Sequence, residues 1–202
     1  MFDPKYPEPD PNKRPAAEVW NERYGADSYL FGKEPCLSLR NNVQYLKKGR
    51  TLDVAMGEGR NSVFLAKEGF QVEGVDCSSK GIEKAKALAA ANQVSIDAKS
   101  QNLDFFLMPL MKYESVLMTY YKPMPRFFSE IRRGLVHGGT VLIEAYLVDQ
   151  VRLAPNPLVE FVDCYKPNEV LGLLRDFRVL YYREIPEGTA HIVQAVALKY
   201  QI

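Results

Sequence analysis

The chain has no block of basic residues, no pair of cysteines at metal-binding spacing, no apolar run long enough to span a bilayer, and only two histidines. Each shortage removes a class of function. Lys and Arg total 26 against 25 acids, a formal net charge of +1. No track for nucleic acid phosphates stands out, so nucleic acid is not an expected partner. Cys36, Cys77 and Cys164 are odd in number and lack Cys-x-x-Cys spacing, which argues against a zinc site and a disulfide framework and for a reducing, cytoplasmic setting. No run approaches the roughly 20 apolar residues of a membrane helix, and the first residues carry prolines and acids where a leader would be basic and then apolar. Neither membrane association nor export is expected.

What is present is enough for one core: 202 residues, 47% of them hydrophobic, fit a single domain plus an arm. Residues 1–15 hold Pro4, Pro7, Pro9, Pro11 and Pro15 among charges and form the arm, denied both helix and sheet ladder. The domain is expected over 16–202. Its first part, 16–33, is dense in aromatics, with Trp20, Tyr24, Tyr29 and Phe31, and reads either as a helix covering the core edge or as a lid.

The most informative stretch is 51–76. Leu52 and Val54 belong to a short strand, Gly57 and Gly59 allow a tight turn, Asn61 to Lys67 has helical spacing, and Val72 to Asp76 forms a second strand ending in a carboxylate. A helix opening after the turn aims free N–H groups and its positive dipole end at a ligand, and the glycines let that ligand approach the backbone. Asp76 is placed to accept from both hydroxyls of a ribose. Together these point to a nucleoside derivative. A dinucleotide site would want a third glycine where Ser62 stands, which disfavours a nicotinamide-dependent oxidoreductase.

The pattern continues as alternating helices and strands. Ser78 or Ser79 caps an alanine-rich helix running to Asn92, and Val94 to Ile96 reads as a third strand. Tyr113 to Thr119 is the fourth, with Tyr120 and Tyr121 at its carboxyl edge, either walling a pocket or simply half-buried at a strand end. Phe127, Phe128, Ile131 and Leu135 mark a helix, and His137-Gly-Gly turns into a fifth strand, Thr140 to Ala145. Near that strand's end Glu144 either faces a substrate or bonds neighbouring backbone N–H groups. Asp149 to Lys166 reads as a loop or irregular helix over the site, Val170 to Phe177 as the last helix, and Arg178 to Glu184 with His191 to Lys199 as a hairpin. The βαβ alternation implies a doubly wound α/β fold with a mostly parallel sheet.

Asp53-Val-Ala-Met-Gly57-Glu-Gly59 resembles the first motif of the class I S-adenosylmethionine-dependent methyltransferases, with Ala55 in place of the first glycine. Gly57-Glu-Gly-Arg-Asn-Ser-Val-Phe-Leu-Ala and Val19-Trp-Asn-Glu-Arg-Tyr resemble the tellurite-resistance and thiopurine methyltransferase-like branch. The resemblance covers most of residues 18–199. It implies a seven-stranded sheet in the order 3-2-1-4-5-7-6 with the last strand antiparallel, S-adenosylmethionine as cofactor, and a small-molecule methyl acceptor. The cofactor-binding set it implies is Asp53, Ala55, Gly57, Glu58, Gly59, Arg60, Asn61, Asp76 and Cys77, with Asn102 and Leu103 at the adenine, Thr119 and Tyr120 at the fourth strand, and Trp20, Tyr24 and Tyr29 from the lid. Asp104 competes with Asn102 for the adenine.

Methyl transfer from a sulfonium depends chiefly on alignment, so a base is optional for a soft or already ionised acceptor. With no paired base and orienter in view, a thiol, a selenium or tellurium oxyanion, or a thiopurine-like sulfur is expected, positioned by His191, Glu144 and the loop 149–166. A monomer or homodimer is expected. A catalytically silent cofactor-binding module is the alternative that Ala55 and Asn102 keep open.

Overall fold

The computed structural model describes residues 14–187 and 189–200. Most of the arm, 1–13, lies outside the described residues. Helix α1 (Ala16–Arg23) and helix α2 (Leu37–Asn42) precede the alternating part. Strand β1 (Arg50–Val54) leads through the glycine turn into α3 (Arg60–Lys67), then β2 (Gln71–Asp76) and α4 (Ser79–Ala91). Next come β3 (Asp97–Ser100), β4 (Tyr113–Thr119), α5 (Phe127–Gly134), β5 (Leu135–Tyr146), α6 (Val148–Leu153), α7 (Glu169–Leu173) and the hairpin β6 (Arg178–Glu187) with β7 (Ala190–Leu198). One seven-stranded sheet runs β3-β2-β1-β4-β5-β7-β6. The first five strands in that order pair in parallel, and β7 lies antiparallel to both neighbours.

Pleat alternation divides the core in two. Leu52, Val54, Val116, Met118, Val141, Ile143, Ala145, Val193 and Ala195 face one side, packed with Phe127, Phe128, Ile131, Tyr165 and Val170. Leu117, Leu142 and Val196 face the other, with Leu39 and Leu65 of α2 and α3. On this second side the strands also carry a polar stack: Thr51, Ser115 and Thr140 near the amino ends, then Asp53, Thr119, Glu144 and Gln194 toward the carboxyl ends, all buried. A row of polar side chains inside a sheet layer must be hydrogen-bonded or reserved for a ligand.

Several expected elements shift. The third strand begins at Asp97, after Val94 to Ile96. Gln93 takes a left-handed φ of 58° at the end of α4, and Val94 and Ile96 pack back beside Val63, Leu88 and Ala89. The strand itself is polar and mostly exposed because it is a sheet edge, where apolar content is a poor marker. Strand β5 begins at Leu135 and absorbs the expected His137 turn, which survives as a register shift and a φ of 71° at Gly138. The last helix stops at Leu173, short of Phe177.

Candidate functional site at the carboxyl ends of the strands

The turn after β1 is built from positive-φ residues: Ala55 at 57°, Gly57 at 55° and Gly59 at 85°. Alanine therefore adopts a left-handed conformation where the resembled motif has glycine, at a modest steric cost. Gly59 is required for packing, since a Cβ there would stand 2.6 Å from the Cβ of Ala85 on α4. A Cβ on Gly57 would meet the Tyr24 hydroxyl at 2.8 Å, so that hydroxyl lies directly over the turn.

Asp76 closes the turn from the tip of β2. Its Oδ2 accepts from the Gly57 backbone N–H at 2.8 Å and its Oδ1 from that of Ser78 at 2.8 Å. A carboxylate has about four lone-pair sites, so two remain for a ligand. Burial raises its pKa, and the bonds from Ser78 and Gly57, with Cys77 beside them, oppose the rise. Ser78 caps α4 through its side chain, which accepts from Gly81 at 3.0 Å.

Asp53 lies beneath the same turn and is fully buried. Ser62 donates to its Oδ2 at 2.6 Å; its Oδ1 has no hydrogen-bond partner. Burial pushes this carboxyl up to about 7, with Ser62 opposing and the nearby Asp76 adding to the rise. The serine that displaces the third glycine of a dinucleotide motif thus holds the motif's acid. Asn61 donates to Thr119 Oγ1 at 3.0 Å and accepts from the Cys36 N–H at 2.9 Å, tying α3, β4 and the start of α2 together.

The segment 16–33 lies over this end of the sheet. Trp20 stacks on Tyr24 at 5.2 Å and tilts against Phe31 at 6.4 Å. Asn21 accepts from Ser78 Oγ at 2.7 Å and from the Lys80 N–H at 3.1 Å, fixing α1 to the start of α4. Tyr24 is 5% exposed, and burial raises its phenol pKa. Lys84 clamps the segment, donating to the Ala26 carbonyl at 2.9 Å and the Ser28 carbonyl at 2.7 Å while pairing with Glu58 at 2.5 Å. Glu58 in turn accepts from the Leu30 N–H at 2.7 Å. Tyr29 donates to the Lys84 carbonyl at 3.0 Å. Lys84 escapes sequence reasoning because its partners, the Glu58 side chain and carbonyls more than 50 residues away, are all distant in sequence.

Farther along the edge, a cavity of about 230 Å³ is lined by Pro35, Cys36, Leu37, Arg60, Tyr120, Glu144, Ala190 and Ile192. Glu144 is 1% exposed and accepts from Gln194 Nε2 at 3.0 Å; Tyr120 lines the cavity with it. Tyr120 takes a φ of 54° and stacks obliquely on Tyr146 at 4.8 Å. Burial pushes the Cys36 thiol up to about 12, so it is an inert wall. Arg60 donates to the Phe31 carbonyl at 2.8 Å and lies about 6 Å from the Phe31 and Tyr120 rings. A second cavity, about 170 Å³, lies toward the amino ends of β3 and β4, beside Glu73, Asp97, Lys112 and Tyr113.

Not every expected site residue joins these groups. His191 begins β7 between Ala190 and Ile192, which line the cavity, so by alternation it belongs to the opposite face of the strand. Its backbone N–H donates to Gln150 Oε1 at 2.8 Å. Of the two residues expected to position the acceptor, Glu144 lines the cavity and is held by Gln194, while His191 does not line it. Asn102 uses its amide oxygen to accept from the Asp104 N–H at 2.9 Å, before the buried Leu103. Cys77 is half-buried beside Asp76, its thiol pushed up to about 12 by burial and by that carboxylate. The loop expected over the site holds α6, whose Gln150 reaches β7, and Leu147 bridges to Tyr165. Gln194 was legible in principle, as a lone polar residue in the apolar run 192–198.

Residues 51–139 match a family model described as a methyltransferase domain. A Geobacillus sp. protein provisionally named as a methyltransferase is 48% identical over 62 residues, 30% of this chain and 25% of that protein. The chain spans between a quarter and about half the length of the curated relatives it matches. Among solved structures, a SAM-dependent methyltransferase of Methanosarcina mazei superposes with a TM-score of 0.65 at 20% identity, covering 84% of this chain and all of that one. TehB of Haemophilus influenzae does so at 0.67 and 17%, covering 91% of this chain and 66% of that one. The fold is that of these methyltransferases. No helix among the described residues is long and apolar enough to cross a membrane, and none of their His, Cys, Asp and Glu side chains cluster as a metal site.

Proposed function

We propose that the chain is an S-adenosylmethionine-dependent methyltransferase acting on a small-molecule acceptor. The observation that carries this reading is the turn after β1: a positive-φ backbone between two buried carboxylates, one with a lone oxygen. A sealed carboxylate oxygen without a donor is costly and points to a cationic group of a ligand. The cofactor's methionyl ammonium suits Asp53 Oδ1, directly or through water, and its ribose hydroxyls suit the free lone pairs of Asp76. The residues present therefore fit the cofactor, which when bound supplies the activated methyl group.

Roles for the chain's own residues follow. Gly57 and Gly59 shape the turn, and Asn61 holds α3 against β4 so that Thr119 and Tyr120 stand beside it. Glu58 and Lys84 keep Trp20, Tyr24 and Tyr29 over the site as a lid that excludes water. Asn102 and Leu103 border the adenine side, with the Asn102 amide oxygen partly engaged. Residues 16–202 form one catalytic domain, in a cytoplasmic protein that is a monomer or homodimer. The acceptor is a thiol or a chalcogen oxyanion, as in the tellurite-resistance-like branch, and needs alignment more than a strong base. A balanced net charge argues against RNA or DNA as acceptor.

A silent cofactor-binding module is the second reading, favoured by Ala55 in the turn and by the Tyr24 hydroxyl lying over Gly57. Release of S-adenosylhomocysteine, measured against simple thiols, selenite, tellurite, heterocycles and RNA, separates the two. Turnover with a small molecule supports the enzyme. Cofactor binding without turnover of any of these selects the silent module, and turnover of RNA alone overturns the small-molecule acceptor.

A further inference from the structure

Resting on the methyltransferase reading, the cavity beside Tyr120 narrows the acceptor further. Its walls combine Pro35, Leu37, Ala190 and Ile192 with Tyr120 and the cationic Arg60, and its one anionic group is Glu144, sealed at 1% exposure. A carboxylate only accepts hydrogen bonds, so Gln194 must turn its Nε2 toward Glu144, leaving Oε1 for the Tyr181 hydroxyl, which donates at 3.3 Å. That chain, Tyr181 to Gln194 to Glu144, runs across three adjacent strands: Arg183 and Glu144 are the register partners of Gln194 on either side, and Tyr181 pairs with Val196, two residues along. Nothing in it serves the glycine turn. A neutral donor, Gln194, holds the carboxylate, and Tyr120 lines the cavity beside it. The guanidinium of Arg60 also lines the cavity, with one of its five N–H groups donating to the Phe31 carbonyl at 2.8 Å.

We propose that this cavity is the acceptor pocket, that it selects an uncharged molecule offering one X–H donor to Glu144, and that Gln194 and Tyr181 are positioning residues aiming that carboxylate. An oxyanion brought against Glu144 meets a like charge at close range, so it is disfavoured there despite Arg60 on the wall. An uncharged donor escapes that repulsion. With a thiol, the sulfur lone pair forms the new S–CH3 bond as the cofactor's methyl–sulfur bond breaks, that bond's electrons staying on the departing thioether. The thiol proton passes to Glu144 and then to water.

The test uses the full chain, 2-mercaptoethanol as the donor and tellurite as the oxyanion, with two readouts: turnover, and calorimetric binding of each acceptor to protein saturated with S-adenosylhomocysteine. Wild type should bind and turn over the thiol and discriminate against tellurite. In Glu144→Gln, thiol kcat/KM and dead-end binding should fall about 10- to 100-fold, the range for a lost hydrogen bond to a charged group. S-adenosylhomocysteine affinity should stay unchanged. Gln194→Met should lower kcat more than it raises KM, because the carboxylate stays but loses its aim. Tyr181→Phe, at the sheet edge, should do the same more weakly and carries the test if Gln194→Met does not fold. Preference for tellurite in wild type, or undiminished thiol turnover in Glu144→Gln, overturns the proposal while leaving the cofactor reading intact. Failure of wild type to bind S-adenosylhomocysteine overturns the underlying reading instead.

Discussion

Two carboxylates are sealed on the same side of the sheet, Asp53 on β1 and Glu144 on β5, and their surroundings differ in kind. Asp53 has a single hydroxyl donor and one unpartnered oxygen, and burial holds its carboxyl near 7. Glu144 is held by the Gln194 amide, which the Tyr181 hydroxyl holds in turn. The first region is built from backbone: left-handed residues, helix N–H groups and an acid at a strand tip. The second is built from side chains on three strands. Backbone sites tolerate little substitution, because turn geometry and packing are shared with the fold, whereas side-chain sites can change selectivity and leave the fold standing.

Gly59→Val should expose this difference most strongly. It combines a Cβ 2.6 Å from Ala85 with a φ of 85°, and strain plus overpacking should cost about 3–5 kcal/mol. Chemical denaturation measures it, and a cost below about 1 kcal/mol would show that α4 yields easily at the turn.

Next in size is the pH dependence carried by Asp53. Its native pKa, about 7, lies above the ordinary 3.8. Between those values the native state keeps a proton that the unfolded chain has released, so stability falls as pH rises through that window. About 3 pH units correspond to roughly 4 kcal/mol at most. Denaturation from pH 4 to 8 should show wild type declining relative to Asp53→Asn; parallel profiles would contradict the burial of a lone carboxylate. The converse holds for the complex. A cation beside Asp53 favours its ionised form, so affinity for S-adenosylhomocysteine should rise with pH up to about 7.

The clamp comes third. Lys84→Met strips Glu58 of its cation and frees the carbonyls of Ala26 and Ser28. It should cost about 1–3 kcal/mol and speed proteolysis within 16–33, with β1 to β5 unaffected. Unchanged cleavage there would mean that the aromatic packing of Trp20, Tyr24 and Phe31 suffices.

How much of this was readable depended on range. The turn, Asp76, the Ser78 cap and the hairpin were legible because local spacing and residue type determine them. Strand β4 was bounded by apolar residues ending at Thr119 and was read to the residue. The edge strand β3 was misplaced because its hydrophobic approach, Val94 to Ile96, packs on a helix while the strand itself is polar. The Glu144 network was half visible: the carboxylate stood out, but its bond to Gln194 on a strand 50 residues away leaves no local mark. Long-range clamps such as Lys84 leave no local trace.

The most direct measurement is calorimetric titration of S-adenosylhomocysteine into wild type and Asp76→Ala, with denaturation curves confirming that both are folded. Loss of hydrogen bonds to a charged group should weaken binding by about 1.5–3 kcal/mol. Equal affinity in the two folded proteins, or no binding by wild type, would contradict the placement of the cofactor at the turn between β1 and β2.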